Sequence, residues 1–495
     1  MRILGSMIKS VIFHNFRNMQ DKKFIFNDKL NIIIGKNNSG KTNILEGIKL
    51  AFSTINNSYM KVDKSDFYNG DDNSPIEIIL ELNKDSIPSF NIPLPDGTKK
   101  CGFKVVIRKT PRDRYTKEFF DMEGNPVNRD IVYADDKVPD IYMIPLMRIE
   151  DVVSPGLITG VRNLLDSEEE YEAFRQSSRE GIKEQIKGKV DRFKDLAKKF
   201  NFNLDIDSTV PEISNEKLYV VDGEDTAYKH KIGSGYRAIA NILLNILSEK
   251  NTIILLDEVE NHLHPALLRN LISEMKSEAF NNVFILMTTH SPIAVNEFKI
   301  ERIIDSMKGS VSDLNIDENS LNKLNAFLCP GRGEMLVADN IVLVEGYSEE
   351  ILLRKYVSDK KLNWTIVNVA GIMFEPYVRL AHTLGKKCVV VSDNDRSQSG
   401  DGNEPTSRFK NLQTICDESG ITLVMVDNTL ETDLHNNGKL SEYTNYLKSH
   451  ANHADIMVMK DNKSKASFAL EVVGNIDLSD WHVIKEIIDA FKEGD

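Results

Sequence analysis

Apolar and polar positions alternate along the chain in a way that predicts two successive α/β units. Short apolar runs bounded by polar turns predict the strands of the first unit. These runs lie at residues 8–16, 30–34, 76–82, 102–108, 141–145, 252–256 and 283–287. A second series of strands, separated by helical stretches, is predicted at residues 341–344, 365–369, 387–391 and 421–426. Because strands that alternate with helices form α/β sheets, we expect a second α/β domain after a boundary near residue 335.

A charged amphipathic helix interrupts the first unit. Between Ser167 and Phe200 apolar residues recur at steps of three and four, which is typical of a helix with one apolar face. This stripe consists of Ile182, Ile186, Val190, Phe193, Leu196 and Phe200. Two interpretations stay open from the sequence: the stripe is a dimerisation seam, or it packs against its own domain.

Composition and charge narrow the class of protein. A chain of 495 residues with 41% hydrophobic and 28% charged residues is an ordinary globular protein of several domains. The net charge of −13 excludes a broad polycationic surface, so any contact with DNA requires a local basic patch. No apolar run approaches the roughly 18–20 residues that span a bilayer, and the N-terminus lacks the pattern of a secretion signal. We therefore expect a cytoplasmic protein without a membrane partner.

A phosphate-binding loop follows the second predicted strand. Residues 35–42 (GKNNSGKT) match the pattern G-x-x-x-x-G-K-[ST] without a mismatch, between a strand and a helix expected at about 41–52. In such a loop backbone N–H groups surround phosphate oxygens, the lysine reaches the β- and γ-phosphates, and the next hydroxyl serves Mg²⁺. The predicted ATP ligands are Gly35, Asn37, Asn38, Gly40, Lys41 and Thr42.

Two acids after another buried strand extend this chemistry. Asp257 and Glu258 follow the apolar run at 252–256, where one carboxylate can hold Mg²⁺ through water and the next can orient an attacking water. A small-residue stretch with Ser234 and Gly235 precedes a predicted helix and offers a further anion-binding nest. The sequence TTHSP, with His290, follows the strand at 283–287.

Together and in this order, these motifs resemble the ATP-binding-cassette (ABC) ATPases of chromosome-maintenance and DNA-repair proteins. The resemblance implies that two heads sandwich ATP, so that a homodimer or a larger homo-oligomer forms at least transiently. It assigns Ser234 and Gly235 to the signature motif that faces the phosphate loop of the other head. It also assigns Asp257 to the metal site, Glu258 to the catalytic base and His290 to the γ-phosphate switch.

Acidic residues follow three strands predicted in the second unit. They are Glu345, Glu349, Asp393, Asp395, Glu431 and Asp433. Six carboxylates at one sheet edge would repel one another unless cations neutralise them, and oxygen ligands favour Mg²⁺ or Mn²⁺ over soft metals. Two such ions about 4 Å apart would stabilise the attacking and leaving oxygens of phosphodiester cleavage.

The Glu-Gly pair at 345–346 and the Asp-x-Asp motif at 393–395 resemble a TOPRIM domain, the metal-binding module of topoisomerases, primases and some nucleases. An ABC-type head followed by TOPRIM resembles the OLD (overcoming lysogenisation defect) family of nucleases over nearly the whole chain. This resemblance implies a two-metal site built from the six acids, with Glu345 and Asp393 in the catalytic centre. It also implies that Lys465 stabilises the pentavalent phosphate, and Lys463 is the nearby alternative.

A polar loop follows the Asp-x-Asp motif. Between Arg396 and Lys410 the chain is rich in Gly, Ser and Asp and carries basic residues, among them Arg408. Such a loop could become ordered around a DNA backbone, and a disordered surface loop is the equal alternative.

The predicted fold is therefore α/β, an ABC-type ATPase head with a helical insertion followed by a Rossmann-like TOPRIM domain. The predicted segments are the two parts of the head at 7–160 and 216–334, the insertion at 161–215, and TOPRIM with a C-terminal helical extension at 335–495. The resemblance implies an ATP-regulated, Mg²⁺- or Mn²⁺-dependent DNA endonuclease in antiphage defence. Members of that family act alone, beside a helicase, or with a reverse transcriptase and its DNA product. The alternative function is an ATP-dependent DNA clamp or nucleotide sensor with a TOPRIM-like domain that does not cleave.

Overall fold

The computed structural model divides into two compact units, Met1–Val311 and Ser312–Asp495. It describes residues 7–26, 29–55, 60–84, 86–93, 99–127, 132, 140–145, 184–200, 204–206, 218–220, 239–240, 242–243, 252–261, 263–277, 283–310, 318–326, 330–371, 374–394, 405–440, 469–470 and 476–492. Of the helices in these ranges, none combines the length and the apolar content that crossing a bilayer requires.

The first unit contains fourteen of the described strands and four of the described α-helices. Its strands are β1 (Ile8–His14), β2 (Lys22–Ile25), β3 (Leu30–Ile34), β4 (Ile76–Leu82), β5 (Asn91–Pro93), β6 (Lys99–Lys109), β7 (Tyr115–Asp121), β8 (Asp140–Pro145), β9 (Leu204–Ile206), β10 (Leu218–Val220), β11 (Thr252–Asp257), β12 (Val283–Thr288), β13 (Ile303–Asp305) and β14 (Gly309–Ser310). Its helices are α1 (Lys41–Ile55), α2 (Glu184–Lys198), α3 (Pro265–Lys276) and α4 (Pro292–Asn296).

The central sheet of this unit places the nucleotide motifs beside one another. Its strand order is β14-β13-β3-β12-β11-β8, and all neighbours are parallel except the β13–β14 hairpin. β3 and β12 are buried along their whole length, as expected for strands covered on both faces. Because parallel strands end at the same edge, the chain leaves β3, β11 and β12 towards one place.

A second, antiparallel sheet covers α1. Its order is β2-β1-β4-β6-β5, with β7 also paired to β6. α1 begins directly after the phosphate loop, and its apolar residues at three- and four-residue steps are fully buried between the sheets. The ring of Phe52 from this helix packs edge-on against Phe103 of β6, with centroids 5.3 Å apart. Full burial of one such ring contributes about 1.5–3 kcal/mol.

The end of the charged helix is buried within the chain. The described helix is α2, and side chains are described only for part of the predicted stripe. Phe193 and Phe200 are fully buried, Leu196 is 6% exposed, and Lys199 forms a 2.7 Å ion pair with Glu274 of α3. These contacts agree with the interpretation in which the apolar stripe packs against its own domain.

The second unit is a four-stranded parallel sheet with helices. The strands are β15 (Asn340–Val344), β16 (Thr365–Asn368), β17 (Lys387–Asp393) and β18 (Thr422–Val426), in the order β16-β15-β17-β18. The helices are α5 (Glu318–Ala326), α6 (Pro330–Val337), α7 (Tyr347–Lys360), α8 (Phe374–Thr383), α9 (Ser407–Ser419), α10 (Leu430–Asn436) and α11 (His482–Lys492). The alternation of buried strands and helices confirms the predicted α/β fold class.

The division between the units precedes the boundary expected near residue 335. α5 contacts α8, and α6 contacts β16, so both helices belong to the second unit. The predicted boundary placed α5 with the head and fell within α6, because no strand-like run marks the start of either helix. At the other end of the unit, α11 packs on β17 and β18 and buries Trp481 in the same core.

Gly47 in α1 offers a test of this packing. A Cβ atom at Gly47 would stand 2.3 Å from a ring carbon of Phe13, whereas one at Gly188 of α2 would meet nothing within 4 Å. Glycine inside a helix normally costs about 0.5–1 kcal/mol relative to alanine. We expect Gly188→Ala to raise the melting temperature and Gly47→Ala to lower it, measured by circular dichroism. An increase for Gly47→Ala would contradict the packing of α1 on Phe13.

Candidate functional site

The phosphate loop connects β3 to α1 through a turn that requires glycine. Gly40 has φ +97°, and a Cβ atom there would lie 2.4 Å from the side-chain amide of Asn18, so only glycine fits. The Lys41 Nζ atom donates to the carbonyl oxygens of Gly35 (3.0 Å) and Lys36 (2.9 Å). The lysine therefore lies over the loop, in position to exchange these carbonyls for phosphate oxygens.

A hydrogen-bond network joins the loop to the two neighbouring strands. The Thr42 hydroxyl donates to both oxygens of Asp257, at 3.1 and 2.9 Å. The Thr288 hydroxyl at the end of β12 donates to Asp257 (2.6 Å) and accepts from the backbone N–H of Glu258 (2.8 Å). A hydroxyl and a carboxylate in this arrangement are the ligand types that serve Mg²⁺ beside a nucleotide. The predicted positions of Thr42 and Asp257 thus fit bound Mg²⁺–ATP.

Glu258 and His290 face the same region from separate turns. Glu258 has φ +52°, and its carboxylate accepts from the side-chain amide of Asn261 at 2.7 Å. Glu260 accepts from the Thr289 hydroxyl and from the His290 backbone N–H, both at 2.6 Å. Glu260 therefore holds the turn that carries the histidine.

Burial and neighbouring charges shift the pKa values of Lys41 and His290 at this edge of the sheet. Burial lowers the pKa of Lys41, although Glu258 and Asp257 act in the opposite direction. Burial and then the positive charge of Lys41 lower the pKa of His290. His290 is therefore neutral near pH 7 and can both donate and accept a hydrogen bond.

Residues not anticipated from the sequence surround the loop. Arg17 donates to Asp66 (2.9 Å) and Asn43 (2.9 Å) and pairs with Glu46. The hydroxyl of Ser306, just after β13, lies 2.5 Å from that of Ser39 in the loop. Isolated polar residues in turns give no spacing signal, so the sequence could not assign them.

The second candidate site lies at the end of the strands in the other unit. Glu345 follows β15, and Asp393 ends the adjacent β17. Both line a cavity of about 730 Å³ together with Glu349, the exposed Tyr347 and Arg408. The Ser392 hydroxyl donates to Glu345 at 3.2 Å and so ties the two strand ends together.

Glu349 and Arg408 make specific contacts in this cavity. Glu349 accepts from the backbone N–H of Gly346 at 3.1 Å, which caps the start of α7. The Arg408 guanidinium forms a 2.7 Å ion pair with Glu345 and donates to the carbonyl oxygen of Gly371 at 2.6 Å. The sequence predicted that Arg408 lies in a polar loop, either ordered around DNA or disordered, whereas the structure places it at the start of α9 beside Glu345.

Glu431 and Asp433 lie together on α10 but in different surroundings. Glu431 is 2% exposed, and neither of its carboxylate oxygens has a hydrogen-bond partner among the described residues. Asp433 is 1% exposed and accepts from the Trp481 indole N–H (2.6 Å) and the backbone N–H of Asp427 (3.1 Å). Its carboxylate is thus used to attach α11, which the sequence did not predict.

Five of the six predicted acids lie within the described ranges, and the sixth, Asp395, lies outside them. Within the described ranges, no group of three or more His, Cys, Asp or Glu side chains is arranged to hold a metal ion. The oxygen-only donors Glu345 and Asp393 nevertheless fit Mg²⁺ or Mn²⁺, because Mg²⁺ commonly uses one or two carboxylates plus water and substrate phosphate. The remaining predicted residues lie outside the described ranges: Asp395, Lys463, Lys465, Ser234 and Gly235.

Comparison with known proteins decides the family. A sequence profile described as "AAA domain, putative AbiEii toxin, Type IV TA system" (AAA_21) matches residues 30–296. A second, "Overcoming lysogenization defect protein-like, TOPRIM domain", matches residues 336–395. The Old nuclease of Escherichia phage P2 is 22% identical over 426 residues, which covers 74% of this chain and 72% of that protein. The chain belongs to the AAA_21 family and is an OLD-type ATPase–TOPRIM fusion.

Other relatives match the OLD-type chain over shorter stretches. An ATP/GTP phosphatase of Helicobacter pylori is 23% identical over 327 residues, covering 58% of this chain and 85% of that protein. RecF, a DNA replication and repair protein of Chloroherpeton thalassium, is 31% identical over 107 residues, 21% of this chain and 27% of RecF. A solved Smc head bound to the C-winged helix domain of ScpA aligns with 60% of this chain and 93% of that chain, at 17% identity and a TM-score of 0.40.

Thr288 is the first residue of the TTHSP sequence in the OLD-type head, and the sequence alone assigned no role to its hydroxyl. Because it bridges Asp257 and the Glu258 backbone, we expect Thr288→Val to slow ATP turnover about 10–100-fold while ATP binding is retained. The matched control is Thr54→Val, since the Thr54 hydroxyl only bonds Leu50 within α1 in the described contacts. Turnover and equilibrium binding of ATP are the measurements, and an unchanged rate for Thr288→Val would refute the role of this bridge.

The attachment of α11 in the OLD-type TOPRIM domain predicts a pH dependence. Burial lowers the pKa of His482, but hydrogen bonds with Glu486 and Asp433, both at 3.1 Å, outweigh burial and leave it raised. The stabilisation is therefore fully present below about pH 6.5 and is lost as the pH rises through the raised pKa of the folded state.

Urea unfolding followed by tryptophan fluorescence measures this effect, because both tryptophans, Trp364 and Trp481, belong to the second unit. We expect the midpoint of the wild type to fall from pH 6 to pH 8.5 by more than that of His482→Gln. His435→Gln, which changes an exposed histidine of α10, should behave like the wild type. Equal pH dependence in all three proteins would contradict the contact with Asp433.

Proposed function

We propose that this chain is an ATP-regulated, divalent-metal-dependent DNA endonuclease of the OLD type, acting in antiphage defence. The observation that carries the proposal is that Glu345 and Asp393 end adjacent parallel strands and line one cavity. The OLD-like TOPRIM match and the similarity to the Old nuclease support DNA as the substrate. The defence role rests on the family resemblance.

Each residue has a distinct task in the proposed cleavage. Glu345 and Asp393 offer oxygen ligands to Mg²⁺ or Mn²⁺, and Asp395 and Glu431 are the proposed additional ligands of a two-ion site. A divalent cation there would stabilise charge on the phosphate oxygens while water attacks phosphorus and one ester P–O bond breaks. Lys465 is the proposed partner of the pentavalent phosphate, with Lys463 as the alternative.

The head is proposed to regulate rather than to cut. Lys41 and Thr42 hold the phosphates and Mg²⁺ of ATP, Asp257 orients the metal site, and Glu258 acts as the base towards water. Ser234 and Gly235 would act on the ATP of a second copy. His290 is the proposed switch that senses the γ-phosphate. The proposal therefore includes a homo-oligomer, and a helicase or a reverse transcriptase with its DNA product as further partners.

The alternative function is a clamp or sensor that does not cleave DNA. The described acids do not form a group of three that could hold an ion by themselves. A domain that binds nucleic acid through one weakly held cation would fit that arrangement.

Plasmid cleavage distinguishes the two functions. Supercoiled plasmid is incubated with Mg²⁺ or Mn²⁺, with and without ATP, and nicked and linear products are measured. We expect Asp393→Ala to lower cleavage at least about 100-fold, because it removes a proposed metal ligand, and chelation of the metal to do the same. We expect Lys465→Ala to slow cleavage and Lys41→Ala to cut without responding to ATP.

The matched control is Glu418→Gln, which changes an exposed acid near the end of α9. Because α9 leads from the end of β17 to the start of β18, Glu418 lies near the opposite edge of the sheet. Full cleavage by Asp393→Ala would eliminate the proposed metal site, and absence of metal-dependent cleavage by the wild type would favour the clamp.

A further inference from the structure

Arg408 stands where the proposed nuclease site needs free carboxylate oxygens. Its Nη2 atom lies 2.7 Å from Glu345 Oε1, while the other oxygen of Glu345 accepts from Ser392. The same guanidinium donates to the carbonyl oxygen of Gly371, and the Gly371 N–H donates to the backbone carbonyl of Glu345 at 2.8 Å. Among the described contacts, the ion pair and the hydrogen bond to Gly371 both hold Arg408 beside Glu345.

We propose that Arg408 couples the binding of DNA to the binding of the divalent cation. This inference rests on the proposed nuclease function. Arg408 holds Glu345 as its counter-ion, and a DNA phosphate that reaches the cavity takes over the guanidinium and releases the carboxylate to the cation.

Competition for one oxygen is the first step of the argument. The guanidinium 2.7 Å from Glu345 Oε1 occupies one acceptor position of this carboxylate and places a positive charge where a divalent cation would bind. The ion pair therefore lowers the affinity for the cation, and loss of the ion pair raises that affinity.

Substrate charge is the second step. A guanidinium offers parallel N–H donors that match two phosphate oxygens, so a phosphodiester can replace a carboxylate as its partner. The Arg408 side chain is 46% exposed and lines the same cavity as Asp393, so an incoming strand can reach it. After this exchange the negative phosphate and the released Glu345 both attract the cation.

Reciprocity turns this exchange into a measurable coupling. If DNA raises the affinity for the cation, the cation must raise the affinity for DNA by the same factor. Couplings of this kind are typically 5- to 150-fold. The site would accordingly bind the cation tightly only when DNA is present, and little metal would be bound without DNA.

The test measures Mn²⁺ affinity of the full chain from the electron paramagnetic resonance signal of free Mn²⁺. Nucleotide is omitted so that the phosphate loop binds no Mn²⁺–ATP, and a phosphorothioate oligonucleotide serves as DNA that resists cleavage. We expect DNA to tighten Mn²⁺ binding about tenfold in the wild type. Arg408→Gln should bind Mn²⁺ about tenfold more tightly without DNA and gain less than twofold from it.

The matched control is Arg379→Gln, which removes an arginine whose ion pair is with Glu375 within α8. It should bind Mn²⁺ and respond to DNA like the wild type. Arg408→Lys keeps a cation at the position and should retain part of the coupling. It decides the question if Arg408→Gln fails to fold by circular dichroism, because a folded Arg408→Lys with the full coupling of the wild type would contradict the role of the guanidinium.

Two results overturn the inference in different ways. If Arg408→Gln binds Mn²⁺ and responds to DNA like the wild type while Asp393→Ala abolishes binding, the coupling is wrong and the proposed nuclease site stands. If neither the wild type nor Arg408→Gln binds Mn²⁺ with or without DNA, the metal-dependent function fails and the inference fails with it.

Discussion

The meeting of parallel strand ends at one sheet edge is the constraint on which both candidate sites depend. Strands such as β3, β12 and β15 are buried almost completely, so their side chains can do no chemistry along most of their length. Polar groups become accessible only where each strand ends. Asp257 and Thr288 meet in this way in the first unit, and Glu345 and Asp393 do so in the second.

Carboxylates gathered at such an edge need partners that offset their repulsion. In the head, Asp257 accepts hydrogen bonds from two hydroxyls, and its negative charge acts on the ammonium group of Lys41. In the TOPRIM domain, Arg408 bonds Glu345, and the indole of Trp481 bonds Asp433. The type of partner differs in a way that matters: an exposed arginine can exchange its carboxylate for another anion, whereas a buried indole N–H cannot.

Much of the fold follows from the sequence because its strands are short, apolar and well separated. The runs at 30–34 and 76–82 coincide with β3 and β4, and the phosphate-loop pattern located the start of α1 correctly. The β13–β14 hairpin was missed because two- and three-residue strands leave no periodic signal. For the candidate sites, the phosphate-loop pattern led to Thr42 at the start of α1, and acids after apolar runs led to Asp257 and Glu345 at strand ends. The sequence could not predict the contacts of Asp433, because its partner Trp481 is distant in sequence and only tertiary packing brings the two residues together.

The hydroxyl pair of Ser39 and Ser306 has a structural consequence. Ser306 also donates its backbone N–H to the carbonyl oxygen of Ile34, so the turn after β13 is joined both to the end of β3 and to the phosphate loop. The hairpin that follows ends at Ser310, and the chain enters the second unit at Ser312. The hydroxyl pair therefore ties the phosphate loop to a segment that lies close in sequence to the division between the two units.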